Sequence, residues 1–324
     1  MVKKIAVLTS GGDSPGLNAG IRAVVRTALA YKLRVFGIRR GFSGLIDGDL
    51  LPLDGHVVSG IVNRGGTILL ATRSKKFKSP AAIRKAARAL ARRRIDGLVV
   101  FGGDGSLKGA WELAQAAKTA VMGVPKSIDN DVGGTDYSIG FDTALNTAVG
   151  VIDKIRDTAT SHERLFLVET MGRKRGFLAL ATALAGGAEA VLLPEVDTDT
   201  AALCRTLEEG RRHGKTSSIV VVAEGDEAGG AFKVANKIRK KFPDYDVRVS
   251  VIGHQQRGGA PSAFDRILAS QLGSAAVEAL LRGERTKMVG IRAGKIITSP
   301  LHEAFRTTKP LDSALLRLAE LLSR

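Results

Sequence analysis

Short apolar runs alternate with stretches of helical periodicity along the whole chain. The runs at 5–8, 35–38, 98–101, 121–124, 165–168, 190–193, 219–223 and 247–252 read as strands, each separated from the next by sequence that could hold a helix. Between 16 and 30 the apolar positions Leu17, Ile21, Val24, Val25 and Leu29 recur at helical spacing. The strongest helix covers 141–158, where Phe141, Ala144, Leu145, Ala148, Ile152 and Ile155 form one stripe. Such alternation predicts an α/β chain with largely parallel sheets, because parallel strands need crossover connections. No low-complexity or Pro-rich linker marks a domain boundary, and no repeat suggests a solenoid. Two echoes, Gly-Gly-Asp at 11–13 and 102–104 and Arg-Gly-Gly at 64–66 and 257–259, read as loop chemistry rather than duplication.

Length sharpens that picture, since 324 residues suit two domains at roughly 100–200 residues each. Hydrophobic residues make up 44% of the chain, enough to exclude disorder. The one cysteine, Cys204, cannot form an intrachain disulfide, and the start MVKKIAVLTSGGD enters a strand-like segment with no cleavable apolar region, so a cytoplasmic protein is expected. No apolar run nears the roughly 20 residues that cross a bilayer. The 49 Lys and Arg against 32 Asp and Glu give a formal charge of +17. Nucleic acid is disfavoured, because aromatics are only 5% and stacking platforms are scarce. A solvated basic helix face, as at Arg84, Lys85, Arg88, Arg92, Arg93 and Arg94, or a cleft attracting polyanionic small substrates are the two remaining accounts.

Three glycine- or aspartate-rich segments carry candidate chemistry. Residues 11–18, GGDSPGLN, leave a strand, turn on glycines and open a helix; backbone N–H groups and a helix start suit phosphate, although an ordinary strand-to-helix turn looks alike. It is not a Walker loop, since no Gly-Lys-Ser/Thr closes it. Residues 101–106, FGGDGS, repeat the arrangement with a carboxylate. An acid beside a phosphate cradle needs a cation between them, so Asp104 reads as a Mg²⁺ partner or, alternatively, as a helix cap. The third, PKSIDND at 125–131, places Asp129 and Asp131 at i and i+2, which on an extended segment would face one site. Crowded carboxylates suit a general base, with Lys126 offsetting their charge; an Asx-rich turn is the plain alternative. Arg73, Arg164, Arg173, Arg248 and Arg257 could select a phosphorylated substrate by bidentate forks if they converge. His254 could be structural, and no zinc spacing exists.

With these motifs in order, the chain resembles the 6-phosphofructokinase family over nearly its whole length. The matching segments are GGDSPGLNAGIR (11–22), NRGGT (63–67) followed by Arg73, GGDGS (102–106), PKSIDND (125–131), GTDYSIGFDTA (134–144), SHER (161–164), ETMGR (169–173), GHQQRGG (253–259) and FDRILA (264–269). The resemblance implies two Rossmann-like α/β/α sandwich domains. A donor domain would cover 1–140 plus 256–305, and a sugar-phosphate domain 141–255 plus 306–324. It implies phosphorylation of the 1-hydroxyl of fructose 6-phosphate by ATP with Mg²⁺, a glycolytic step, in a homotetramer or homodimer without membrane or nucleic-acid partners. Gly11, Arg73, Gly102, Gly103, Asp104, Gly105, Ser106 and Lys126 would hold the donor, with Asp104 at the metal. Asp129 would be the base, flanked by Ser127 and Asp131, with Arg173 also counted among the catalytic residues. Met171, Gly172, Arg173, Glu224, His254 and Arg257 would hold the sugar phosphate, with Arg164 and Arg248 reaching it from a neighbouring subunit.

The chain departs from the family pattern at several of these places. Ser127 stands where threonine is usual, and Leu70 where glycine is frequent. Lys126 stands where ATP users have glycine and pyrophosphate users lysine, whereas Gly105 stands where pyrophosphate users have aspartate. Pyrophosphate is therefore the alternative donor. Lys126 reads as a movable cation able to pair with Asp129 or Asp131, and Gly105 as room for the α-phosphate of ATP, which places ATP first. At the family's allosteric phosphate site Arg22, Arg26, Arg156, Glu189 and Lys215 match, but Gly55 and His213 replace arginines. Two competitors are a kinase of other alcohols, since NAD and lipid kinases share Gly-Gly-Asp-Gly-Ser/Thr, and a non-catalytic anion sensor or nucleic-acid binder. PKSIDND and GHQQRGG argue against the first, and Asp129 against the sensor.

Overall fold

The structure is a computed structural model that describes every residue except Met1, Arg73, Lys75, Thr198, Glu227, Ala228, Asp244 and Arg324. In chain order it begins β1 (Lys4–Thr9), α1 (Leu17–Ala30), β2 (Arg34–Ile38), α2 (Gly41–Asp47), β3 (Leu50–Leu53), α3 (Pro80–Arg92), β4 (Gly97–Gly102), α4 (Asp104–Ala116), β5 (Ala120–Pro125) and α5 (Phe141–Ser161). Then come β6 (Leu165–Thr170), α6 (Phe177–Gly186), β7 (Ala190–Leu192), α7 (Thr200–Arg212), β8 (Ser218–Ala223), α8 (Gly230–Lys241) and β9 (Val247–Val251). The chain ends with α9 (Ala263–Leu281), β10 (Lys287–Arg292), β11 (Lys295–Pro300), α10 (Glu303–Arg306) and α11 (Ser313–Leu322). These elements divide into two compact units: Met1–Thr143 with Arg257–Lys309, and Ala144–Gln256 with Pro310–Arg324.

The first unit holds a seven-stranded sheet in the order β11-β10-β5-β4-β1-β2-β3. Its five central strands are parallel, and the edges β3 and β11 pair antiparallel. Successive residues of the central strands face opposite cores. Ile5, Val7, Val99 and Phe101 pack with α1 and α9, whereas Ala6, Leu8, Leu98 and Val100 pack with α2, α3 and α4. Burial on both faces explains why these strands read as continuous apolar runs instead of alternating ones. Each fully buried Ile, Leu or Phe adds about 1.5–3 kcal/mol of transfer free energy. Pro52 lies in edge strand β3, where its missing N–H costs no ladder bond.

The second unit repeats the layering on a smaller scale. Its four strands are parallel in the order β7-β8-β6-β9. Leu165, Leu167, Val220 and Val222 face α7 and α8; Val168, Ile219 and Val221 face α6 and the part of α5 around Ala148 and Ile152. Cys204 is buried among the former, and burial pushes its thiol pKa up, so it is a packing residue and not a nucleophile. No helix among the described residues is long and apolar enough to cross a membrane.

Candidate active site

In the first unit, β5, β4 and β1 are parallel neighbours, so the loops that follow them emerge together at the carboxyl end of the sheet. Backbone bonds tie the loops at their roots: Ser10 N–H donates to the Phe101 carbonyl (2.9 Å) and Lys126 N–H to that of Gly102 (3.0 Å). Above them the Ser106 hydroxyl donates to Ser10 Oγ at 3.1 Å. Gly11 has φ +89°, and a Cβ there would lie 3.2 Å from Ser106 Oγ and 3.6 Å from Lys126 Nζ, inside the cradle. A Cβ on Gly12 would come within 2.6 Å of Arg257 Nη1, which also donates to the Asp13 carbonyl (3.2 Å).

Helix α4 starts at Asp104 with Gly103 as its cap residue, so no side chain occupies the free N–H groups of the first turn. Asp104 does not cap the helix. It is exposed and makes no hydrogen bond or ion pair with any described residue. Such an uncommitted carboxylate beside free amide donors suits a hydrated Mg²⁺, which commonly takes one or two protein carboxylates and keeps its waters. Among the described residues no cluster of three metal-ligating side chains exists, so any such ion would lean on water and phosphate. Nothing lies within 4 Å of a Cβ built on Gly105, so a side chain there would project into open space in front of the cradle.

Two sequence readings need correction here. Lys126 is not a movable cation: it is buried (4% exposed), and Nζ donates to the carbonyls of Ser10 (3.1 Å) and Gly12 (2.5 Å), pinning the loop after β1. Nor do Asp129 and Asp131 lie on an extended segment. The chain turns at 128–129, and Asn130 adopts φ +51°. That turn is clamped. Asn130 Oδ1 accepts the Ser138 N–H (2.9 Å), its Nδ2 donates to the Asp136 carbonyl (3.1 Å), and Ser138 Oγ donates to the Ser127 carbonyl (2.6 Å). Ser127 Oγ donates to Asp131 Oδ1 (2.7 Å) and accepts the Asp129 N–H (3.3 Å). Asp129 itself is 2% exposed. A buried, backbone-fixed carboxylate beside a phosphate cradle has the placement a general base needs.

Lys309 stands behind this turn, with Nζ donating to the Asp136 carbonyl at 2.5 Å. Burial lowers its pKa to about 8, against the raising effect of Asp136 and Asp131. Nothing in the sequence patterns singles it out. The same holds for Asp265 at the first turn of α9, which is buried and accepts the N–H groups of Gly140 (2.7 Å) and Thr143 (2.8 Å) and the Thr143 hydroxyl (2.5 Å). It therefore satisfies the free donors at the start of α5 from another helix. Desolvation nevertheless pushes its carboxyl pKa up. The FDRILA motif contained it without revealing this task.

In the second unit the carboxyl ends of β6, β8 and β9 gather a second set. Glu224 N–H donates to the Thr170 carbonyl (3.0 Å), and Met171 N–H to Oε1 of the fully buried Gln256 (2.8 Å). A Cβ on Gly225 would overlap the Arg173 carbonyl at 1.7 Å, so the two loops touch backbone to backbone, and Arg173 takes φ +54°. Met171, Gly172, Arg173, Glu224 and His254 thus share one end of this sheet, with Arg173, Glu224 and His254 exposed. Gln256 and Gly225 are the residues that sequence reasoning missed, and they act by joining the loops.

Arg164 and Arg248 are not in that group. Arg164 precedes β6 and Arg248 is the second residue of β9, at the opposite, amino end of the strands. Six strand residues at about 3.3 Å each put roughly 15–20 Å between the two ends. Both arginines bind Asp246, Arg164 Nε to Oδ2 at 2.7 Å and Arg248 Nε to Oδ1 at 2.8 Å, and these bonds hold the Asp246 carboxyl below its usual pKa. Arg73 lies outside the described residues.

Glycine loops, a free helix start, a buried lysine and a fixed carboxylate at a parallel sheet's carboxyl end define a phosphate-handling α/β enzyme. Residues 4–280 match the family model described as Phosphofructokinase. The chain is 52% identical over 322 residues to an "ATP-dependent 6-phosphofructokinase 1" of Thermus thermophilus, covering 99% of this chain and all of that one. It is 49% identical, with 99% of each covered, to an "ATP-dependent 6-phosphofructokinase 2" of Bacteroides thetaiotaomicron. Among solved structures, phosphofructokinase from Saccharomyces cerevisiae superposes with TM-score 0.87 at 35% identity, over 99% of this chain and 48% of that one. A pyrophosphate-dependent phosphofructokinase from Marinobacter aquaeolei shares the fold at TM-score 0.85 and 23% identity, over 96% of this chain and 86% of that one. The chain belongs to the phosphofructokinase family.

Proposed function

We propose that the protein is a 6-phosphofructokinase that transfers the γ-phosphoryl group of ATP to the 1-hydroxyl of fructose 6-phosphate, a glycolytic step. The observation that carries the reading is the buried, clamped Asp129 next to the cradle formed by Gly11, Gly102, Gly103, Gly105 and Ser106. Asp129 takes the proton of the attacking hydroxyl as the oxygen engages phosphorus. Ser127 and Asp131, bonded to each other, border the transferring group. Backbone amides of the α4 start stabilise charge on the donor's phosphate oxygens, and Lys126 keeps the cradle's shape by holding the Ser10 and Gly12 carbonyls. Asp104 would hold Mg²⁺, which supplies charge neutralisation across the donor phosphates.

On the acceptor side, Met171, Gly172, Arg173, Glu224, His254 and Arg257 would bind the sugar phosphate. Arg164 and Arg248 would serve a neighbouring subunit's site in a homotetramer or homodimer of the cytoplasm. Gly105 favours ATP over pyrophosphate by leaving open space at the cradle, and the 52% identical relative is named ATP-dependent. A coupled assay with fructose 6-phosphate and either ATP or pyrophosphate should show turnover with ATP. Preference for pyrophosphate would overturn the donor and keep the sugar kinase; no turnover with either would overturn the reading.

A further inference from the structure

At the amino end of the parallel strands of the first unit, away from the glycine loops, lies a cavity of about 830 Å³. Its walls are one face of α3, the α4–β5 connection, the start of β4 and the turn after α9. The floor is apolar and built largely from short side chains, Ala87, Ala91, Ala117 and Ala120 with Ile95 and Leu280. Around it stand five exposed cations, Arg84, Arg88, Arg94, Lys118 and Arg285.

Two acids also line the cavity, and both are engaged elsewhere. Asp96 Oδ2 accepts the N–H groups of Lys3 (2.8 Å) and Lys4 (2.9 Å). Glu284 Oε1 accepts Nε and Nη2 of Arg282 at 3.0 and 2.8 Å. Arg285 donates to the Lys118 carbonyl. Arg84, Arg88, Arg94 and Lys118 make no hydrogen bond or ion pair through their side chains with any described residue. Helices α3, α4 and α9 all end here, so cations near those ends answer the negative dipole. That accounts for Arg94, Lys118 and Arg285. It does not account for Arg84 and Arg88, which precede the last turn of α3 and stand at i and i+4, a like-charge spacing that destabilises a helix unless an anion bridges it.

We infer that this cavity binds a small organic phosphate, its apolar body on the alanine floor and its phosphate between the guanidinium groups of Arg84 and Arg88. Guanidinium forks match phosphate oxygens bidentately. The volume falls within the roughly 300–1,000 Å³ of small-ligand sites. The reacting donor is a poor candidate occupant, since the cradle and this cavity flank opposite ends of β4 and β5.

Naphthyl phosphate is a suitable probe, with naphthol and inorganic phosphate as its two halves, titrated calorimetrically into the whole protein. Saturable binding of the probe, with both halves at least about tenfold weaker, is expected. The charge variant R84Q/R88Q and the floor-filling variant Ala91→Leu should each weaken the probe at least about tenfold, with melting temperature and basal turnover unchanged. Leucine is a good helix former at an exposed α3 position, so Ala91→Leu guards against loss by misfolding. Absence of saturable binding overturns the inference, as does binding that both variants leave intact. Inorganic phosphate binding as tightly as the probe, or polyglutamate binding where the probe does not, would also overturn it.

Discussion

If Asp129 is the base, replacing it by Asn removes the proton acceptor while keeping nearly the same shape in a buried position. The kcat at saturating substrates should fall by roughly 10²–10⁴, the usual loss for a missing general base, with the KM for the sugar phosphate little changed. A near-normal kcat would remove Asp129 from that role. Two neighbouring positions separate donor choice from architecture. Gly105 faces open space in the first turn of α4, where an added carboxylate also favours the helix dipole. Gly105→Asp should therefore fold normally yet lower kcat/KM with ATP by at least about tenfold, through repulsion of the donor phosphates. Lys126→Met acts differently. It strips the buried Ser10 carbonyl and the half-buried Gly12 carbonyl of their donor and should cost about 2 kcal/mol of stability, together with ATP turnover. Sequence alone read Lys126 as a movable cation, because burial of its amine under the β1 loop is not visible in a motif.

At the scale of elements, α5 depends on a carboxylate it does not contain. Asp265→Ala would leave the buried N–H groups of Gly140 and Thr143 without an acceptor, so a loss of about 3 kcal/mol, or roughly 4–5 °C in melting temperature, is expected. Lys309 gives the opposite sign at neutral pH. Its folded pKa of about 8 lies below its ordinary 10.5, so the folded state releases the proton first and stability rises as pH climbs from 8 to 10.5. Lys309→Met should flatten that rise in a melting series across those pH values; an unchanged slope would remove Lys309 as its source. The central strands and α5 were legible because burial on both sheet faces leaves unbroken apolar runs, and helical stripes separate them. The β10–β11 hairpin was not. Its two-residue turn is Ala293-Gly294, both at positive φ, and Ala293 carries none of the usual Asn or Asp signal. The turn instead leans on Asp136, whose Oδ2 accepts the Ala293 N–H at 2.7 Å from far along the chain. Likewise PKSIDND identified the loop, but the spacing of its aspartates misled, because Asn130 and its partners set the turn.

For the whole molecule, the decisive residues are Arg164 and Arg248. A single chain places them at the amino end of β6 and β9, paired to Asp246, roughly 15–20 Å from the Met171–Glu224 loops at the carboxyl end. They can serve a sugar-phosphate site only if that site belongs to another subunit. Activity should then depend on protein concentration, falling on dissociation without loss of helical signal in circular dichroism. Complementation tests the same point more sharply. An Arg164→Ala chain keeps its own Asp129 and lacks the arginine it would lend; an Asp129→Asn chain lends a sound arginine to a neighbour. In a two-fold interface, random exchange of equal amounts gives about a quarter of sites with both native residues. Turnover should rise toward that fraction of the unmodified enzyme's activity when the two inactive preparations are mixed and allowed to exchange. If exchange is demonstrated by mass and activity stays at the level of the separate variants, Arg164 acts within its own chain or not at all, and the shared site is wrong.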